Sequence, residues 1–208
     1  MVRVLIVVSL VCLLVFSVCL YIVESGQKGV TMSFRWVSSS SSWGIVGSPT
    51  VSVEQIERVL TWCHSPAKGS GQALSDDGLR YGIDPVFPLA FFLHESSCGT
   101  QGMAAMTHSL GNMRCMVGYG CVNTRGGACQ PGQSCYAYFS TWAESFEAWY
   151  RLLKDQYIAH GLVTVDQIIP VYAPSDDHND VQAYVCSIKN AVNTWRDGQV
   201  AVSSGREC

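Results

Sequence analysis

Charge is scarce in this chain. Its 208 residues carry 13 Lys or Arg and 16 Asp or Glu, for a net charge of −3. No cluster of Lys and Arg occurs anywhere along it. A nucleic-acid partner is therefore not expected, because phosphate backbones are bound by concentrated positive charge. C-x-x-C pairs are absent, although there are ten cysteines, and His64 and His108 are not spaced as metal ligands. Zinc coordination is disfavoured on that ground, and neither metal nor cofactor is expected. No internal repeat divides the sequence, and its length suits one domain with an appendage.

What the chain does have is cysteine. Cys12 and Cys19 lie in an N-terminal apolar run, and eight more are spread over the rest: Cys63, Cys98, Cys115, Cys121, Cys129, Cys135, Cys186 and Cys208. An even set in an exported domain reads as disulfides. Cys115 with Cys121, and Cys129 with Cys135, are near neighbours in sequence, so local pairing is geometrically simplest. Cys63 with Cys98 would join the ends of two helices, and Cys186 with Cys208 would tie down the tail.

Residues 4–23 are apolar apart from Ser and Cys, long enough to span a bilayer, and only Arg3 precedes them. No small-x-small cleavage site stands before Glu24, and Phe16-Ser17-Val18-Cys19 is a poor lipobox. The reading is one uncleaved transmembrane anchor over residues 1–23 with its N-terminus inside. The alternative is a cleaved signal segment and a secreted domain. Residues 24–50 read as a linker, because a serine run and scattered Gly and Pro leave little to bury. Trp36 and Trp43 flank that run and belong either at a membrane interface or against the domain.

Ordered structure is expected over residues 51–200, with 201–208 as a C-terminal tail. Ser52-Val-Glu-Gln55 is a capping box, after which Ile56, Val59, Leu60 and Cys63 share one helical face. A Gly- and Ser-rich break, residues 65–71, precedes a short polar segment. Residues 107–139 hold six glycines and four cysteines without helical period, which suggests a disulfide-pinned lobe of loops and short strands. Helices return at Thr141-Trp-Ala-Glu144, with Phe146, Trp149, Leu153 and Tyr157 at helical spacing, and at Thr164-Val-Asp-Gln167, where Pro170 should curtail a short helix. A last helix begins near Asp180 and carries the stripe Val181, Val185, Ile188, Val192 and Trp195, which reads as core. The fold class is mainly α, with a loop or β lobe inserted between helices. A cleft between lobe and helices is a natural polymer site.

One segment points to chemistry. Tyr81 to Thr100 reads as a buried helix with Asp84 as N-cap and Pro85 at the first helical position. Its run of Val86, Phe87, Leu89, Ala90, Phe91, Phe92 and Leu93 leaves almost no polar face. A carboxylate at the end of such a helix, Glu95, is unusual. Burial and the negative end of the helix dipole both disfavour its charged form and raise its pKa. A carboxylic acid still protonated near neutral pH can protonate a leaving-group oxygen, as glycosidases require. The bland alternative is a surface Glu just past a helix stopped by Gly99.

The order of several motifs adds to this. Ser65-Pro-Ala67, Tyr81-Gly-Ile-Asp-Pro85, Leu89-Ala-Phe-Phe92, His94-Glu-Ser-Ser97 with Gly99-Thr100, Thr107-His-Ser-Leu-Gly-Asn-Met-Arg-Cys115, Trp149-Tyr150, and Val171-Tyr-Ala-Pro174 with Asp177-His-Asn179 follow one another from about Val53 to Arg196. In this order they resemble the glucosaminidase family of peptidoglycan hydrolases, and more narrowly its mannosyl-glycoprotein endo-β-N-acetylglucosaminidase-like members. The resemblance implies an α+β lysozyme-like fold and acid–base cleavage of β-1,4 links between amino sugars, with Glu95 as general acid and Tyr172 as its catalytic companion. It implies substrate contacts from Ser96, Asn112, Asp177 and Asn179. Asn112 equally suits a left-handed turn, and Tyr172 a core position. The partner it implies is peptidoglycan or a related amino-sugar polymer, and the apolar N-terminal run adds a membrane as the second expected partner. The cysteines need an oxidising side, so the expected location of the domain is extracytoplasmic, anchored to the membrane or secreted if the N-terminal segment is cleaved.

The chain departs from the family pattern over Asn123 to Ser134, with Cys129 and Cys135, a stretch suited to supplying a second carboxylate in which no Asp or Glu occurs. Asp177 or Asp180 is then a candidate base, though Asp180 better suits capping the final helix. Without one, the substrate's own N-acetyl group can serve as nucleophile. A lytic transglycosylase, or a non-catalytic glycan-binding or structural module of a cell surface or virion, are the alternative readings.

Overall fold

The computed structural model describes residues 43–130 and 133–203. The expected membrane anchor, Trp36 and Cys208 lie outside the described residues. Among the described residues no helix is long and apolar enough to cross a membrane.

The fold is mainly helical. The chain forms α1 (Val53–Trp62), α2 (Gly71–Tyr81), α3 (Val86–Ser96), α4 (Ala104–Thr107), strands β1 (Gly120–Asn123) and β2 (Cys135–Tyr138), then α5 (Trp142–Gln156), α6 (Val165–Tyr172) and α7 (Val181–Arg196). Short 3-10 turns cover Ile158–His160 and Ser175–Asp177. The central element is α3, buried nearly all round because almost all its side chains are apolar. It packs most extensively on α7, while α2 packs on α5 and α6 on α7.

Local signals explain most helix starts. Ser52, Thr141, Thr164 and Asp180 each accept the backbone N–H three residues on, which satisfies an otherwise orphaned donor. Only Thr164 with Gln167 closes a full capping box. At Ser52 the expected reciprocal bond is replaced by Gln55 donating to the Gln199 carbonyl at 2.5 Å, because that tail segment lies alongside α1. The Asp84 carboxylate accepts the Val86 N–H at 3.2 Å. It also pairs with Arg196 at 3.0 Å and accepts from the Thr50 hydroxyl at 2.6 Å, which ties the start of α3 to both ends of the domain.

Four expectations change. The linker does not extend to residue 50. Ile45 is fully buried, its N–H donates to the Val163 carbonyl, and Gly44 and Val46 bridge to Thr164 and Ile83. Apolar Trp43 and Ile45 are enough to draw this stretch onto the domain, and Trp43 packs on the core. The polar segment after residue 71 is a helix. Its few core residues include Leu74 and Gly78, where a Cβ would crowd Pro85, Tyr150 and the Ile83 carbonyl. Pro170 sits within α6 without ending it, since the buried Ile168 and Ile169 hold the helix in place through packing. Finally, α3 stops at Ser97 rather than at Gly99, with Ser97 left-handed at φ 50°.

The inserted lobe has the expected character. Strands β1 and β2 form one antiparallel pair running from Gly120↔Tyr138 to Asn123↔Cys135. Disulfides join Cys115 to Cys121 and Cys129 to Cys135 within it. A third joins Cys63 at the end of α1 to Cys98 after α3. Cys186 is disulfide-bonded as well, and Cys208, its expected partner, lies outside the described residues.

Candidate functional site

Glu95 occupies the last turn of α3, and the chain beyond it is held tightly. Ser97 and Cys98 both adopt left-handed backbone, at φ 50° and 57°, a conformation that costs a non-glycine residue about 1–2 kcal/mol. Surrounding bonds enforce it. The Cys63–Cys98 disulfide anchors the turn, the Ser65 hydroxyl donates to the Cys98 carbonyl at 2.7 Å, and Gly99 N–H donates to the Ser96 hydroxyl at 2.9 Å.

Two side chains grip the carboxylate. The Tyr184 hydroxyl, from the first turns of α7, donates to Glu95 Oε1 at 2.5 Å. Asn112 Nδ2 divides its donation between the Glu95 carbonyl oxygen at 3.0 Å and Oε2 at 3.3 Å. Burial raises the pKa of Glu95, and the bonds from Tyr184 and Asn112 pull against that rise. Oε1 is thus fixed by a short bond, while Oε2, more loosely held, is the oxygen from which a proton can be passed. His94 stacks on Tyr184 with ring centroids 3.7 Å apart, and its Nδ1 meets the Ser187 hydroxyl at 2.9 Å. Burial lowers the pKa of that imidazole.

Beneath the carboxylate lies an aromatic cluster. Phe91, one helical turn before Glu95, touches Trp149, Tyr172 and Tyr184 at centroid distances of 5.0, 5.4 and 5.7 Å. Tyr172 is the last residue of α6, and Ala173 after it leaves the helical region at φ −136°, ψ 73°, as the following proline requires. Its hydroxyl donates to the Gly111 carbonyl at 2.9 Å and accepts from Trp149 Nε1 at 3.4 Å. A Cβ at Gly111 would collide with the Tyr172 hydroxyl and the Trp149 indole, so glycine is needed for this close approach.

Glu95, Asn112, Tyr172, Asp177 and Asn179 all line one cavity of about 690 Å³. Arg114 and Met116 of the lobe, and Asp176 and His178 of the turn after α6, line it too. Three placements differ from expectation. Ser96 is buried, with its hydroxyl spent on the Phe92 carbonyl and the Gly99 N–H, so it faces no ligand. Asn112, expected as a substrate contact, spends its Nδ2 on Glu95 itself. It is left-handed at φ 48°, and its Oδ1 accepts the Ala104 N–H, so the turn and the contact with Glu95 are one arrangement. Tyr172 borders the cavity, but its hydroxyl is aimed at Gly111 and the tyrosine bonded to Glu95 is Tyr184.

Asn179 donates to the Pro174 carbonyl at 3.1 Å, which shapes the turn that presents Asp176 and Asp177. Among the described residues no group of three His, Cys, Asp or Glu side chains is placed to hold a metal ion. Sequence reasoning missed Tyr184, because a tyrosine beside Val181, Val185 and Ile188 reads as stripe and core. The available signal was its polar hydroxyl within an otherwise apolar stripe, since buried tyrosines keep a hydrogen-bond partner.

No family model and no curated protein matches the chain. Its fold is similar to that of Staphylococcus aureus autolysin E, solved in complex with the muropeptide NAM-L-Ala-D-iGlu. The TM-score is 0.54 at 12% identity, over 75% of this chain and 71% of that one. At this identity the likeness is one of fold.

Proposed function

We propose that the protein is a glycoside hydrolase of peptidoglycan, an endo-β-N-acetylglucosaminidase that cleaves β-1,4 bonds between amino sugars with Glu95 as general acid. The observation that carries this reading is the state of Glu95: a carboxyl raised in pKa by burial, lining a cavity of about 690 Å³, with one oxygen fixed by Tyr184. The likeness of fold to an autolysin solved with a muropeptide supports the choice of polymer.

In this mechanism Glu95 enters protonated and passes its proton from Oε2 to the departing glycosidic oxygen. Tyr184 and Asn112 then stabilise the carboxylate left behind. They favour the charged form and so keep the acid from being too weak to act. Asp176 or Asp177, both on the cavity wall, supplies the second carboxylate, or the substrate's N-acetyl oxygen takes that part. Tyr172 acts as a positioning residue, holding Gly111 and through it Asn112. An extracytoplasmic setting is supported by the disulfides, which persist in oxidising compartments.

The test is release of soluble fragments from purified cell walls by the wild-type chain and by Glu95→Gln. Glutamine keeps the shape and has no proton to give, so the rate should fall by ~10²–10⁴. A variant retaining more than about half the activity removes Glu95 from the mechanism. Wild-type binding without cleavage would make the domain a glycan-binding module. Reducing sugar ends among the products separate hydrolysis from lytic transglycosylation.

A further inference from the structure

Arg114 is a cation on the cavity wall for which the acid chemistry of Glu95 has no use. It follows Asn112 by two residues and lines the same cavity. Its backbone is fixed from both sides. The Met113 carbonyl accepts the Ala137 N–H at 2.9 Å, and Cys115, bonded to Cys121, donates its N–H to the Cys135 carbonyl at 3.0 Å. Arg114 itself bridges to Tyr136, and its guanidinium carbon lies 4.8 Å from the centre of that ring. Stacking on an aromatic face holds a guanidinium while leaving its N–H edge free for a planar, two-oxygen acceptor. None of the ion pairs among the described residues includes it.

The other titratable acids and the imidazole on this cavity are Glu95, Asp176, Asp177 and His178. The three carboxyls come from α3 and the turn after α6, and the guanidinium comes from the lobe. An anionic substituent meets like charge beside Asp176 and Asp177 and opposite charge at Arg114. The cavity lining therefore carries both signs of charge, which a neutral, uniformly substituted glycan would not exploit.

We propose that Arg114 recognises a carboxylate carried by the substrate, so that the preferred polymer is an amino-sugar chain bearing acidic substituents, such as peptide stems, over a neutral chain. This deepens the reading of the cleft as an amino-sugar site and rests on it. The experiment measures binding to the full chain carrying Glu95→Gln, with and without Arg114→Gln. The two probes are a short amino-sugar oligomer bearing a carboxylate-ended peptide and the same oligomer with its carboxylates converted to amides.

Without the Arg114 substitution, the acidic oligomer should bind about tenfold more tightly than its amide, equivalent to ~1.4 kcal/mol. Arg114→Gln should bring that ratio to about 1, and the preference should shrink with added salt, as expected for an exposed charge pair. Equal binding of the two oligomers, or a ratio that survives Arg114→Gln, overturns the inference and leaves the amino-sugar reading standing. Failure to bind either oligomer overturns the amino-sugar reading together with the inference.

Discussion

The two walls of the cleft are held together in different ways. The helical wall, with Glu95 on α3 and Tyr184 on α7, stands on fully or nearly fully buried Phe91, Trp149, Phe87 and Phe92. The lobe wall has only two four-residue strands and two disulfides, each closing a separation of six residues. Much of its surface is open, and Val117 is fully exposed. Burying large apolar area stabilises the first wall. The second buries too little to do so and uses covalent links instead, as small exported domains do.

This difference teaches where each task belongs. Under the proposed function Glu95 is a proton donor, which must be held to within a fraction of an ångström, and the packed wall suits that task. Residues that select a substituent tolerate a looser, more variable support, and Arg114 sits on the pinned lobe.

Removing packing under the site should have the largest effect. Phe91→Ala deletes the ring that touches Trp149, Tyr172 and Tyr184, and large aromatic truncations of this kind cost ~3–5 kcal/mol. Denaturant unfolding measures it, and a loss below about 1 kcal/mol would mean that the helical wall does not depend on this cluster.

Tyr184→Phe comes next. It removes a bond to a charged oxygen worth ~1.5–3 kcal/mol, so turnover should fall roughly tenfold to a hundredfold. That bond lowers the pKa of Glu95 against the rise from burial. Its loss should therefore move the basic limb of the pH–rate profile to higher pH. A limb that stays in place, or moves down, would show that Tyr184 does not set the acidity of Glu95.

The lobe should respond more locally. Replacing Cys129 and Cys135 together by serine relaxes a short loop, for which ~2 kcal/mol is expected. Amide exchange should speed up in β1 and β2 while the amides of α3 and α7 keep their protection. Equal loss of protection on both walls would erase the contrast between them.

The smallest effect is expected at Tyr172. Tyr172→Phe gives up a hydroxyl bond to the Gly111 carbonyl, worth about 1 kcal/mol of stability, and turnover should fall less than in Tyr184→Phe. The reverse order of the two tyrosines in kinetic assays would return Tyr172 to direct catalysis.

Much of the helical frame was legible because its signals are local. Caps at Ser52, Thr141, Thr164 and Asp180, the apolar run of α3 and the spacing of Phe146, Trp149 and Leu153 are all readable within one or two turns of chain. The helix Gly71–Tyr81 was not, because its buried face is built from Leu74, Ser75, Asp77 and Gly78 and gives almost no hydrophobic period. The segment around Ile45 was not either, since its partners Val163, Gly82 and Asp84 are far along the chain.

At the candidate site, the position of Glu95 was legible and its environment was not. Composition along one helix was enough to single out Glu95, because an apolar run that ends in a carboxylate is unusual by itself. Asn112 and the bend at Ala173-Pro174 were also readable, from turn chemistry and the restriction that proline places on the residue before it. Which tyrosine would reach Glu95 was decided only when α7 packed on α3, bringing together residues separated by 89 positions. The choice between Tyr172 and Tyr184 is a matter of which hydroxyl the packing directs to which oxygen, and local sequence carries no record of that. The same holds for Ser96, whose hydroxyl the turn after α3 consumed, and for Arg114, which became a cleft residue because an isolated β-bridge to Tyr136 and the neighbouring disulfide set it there.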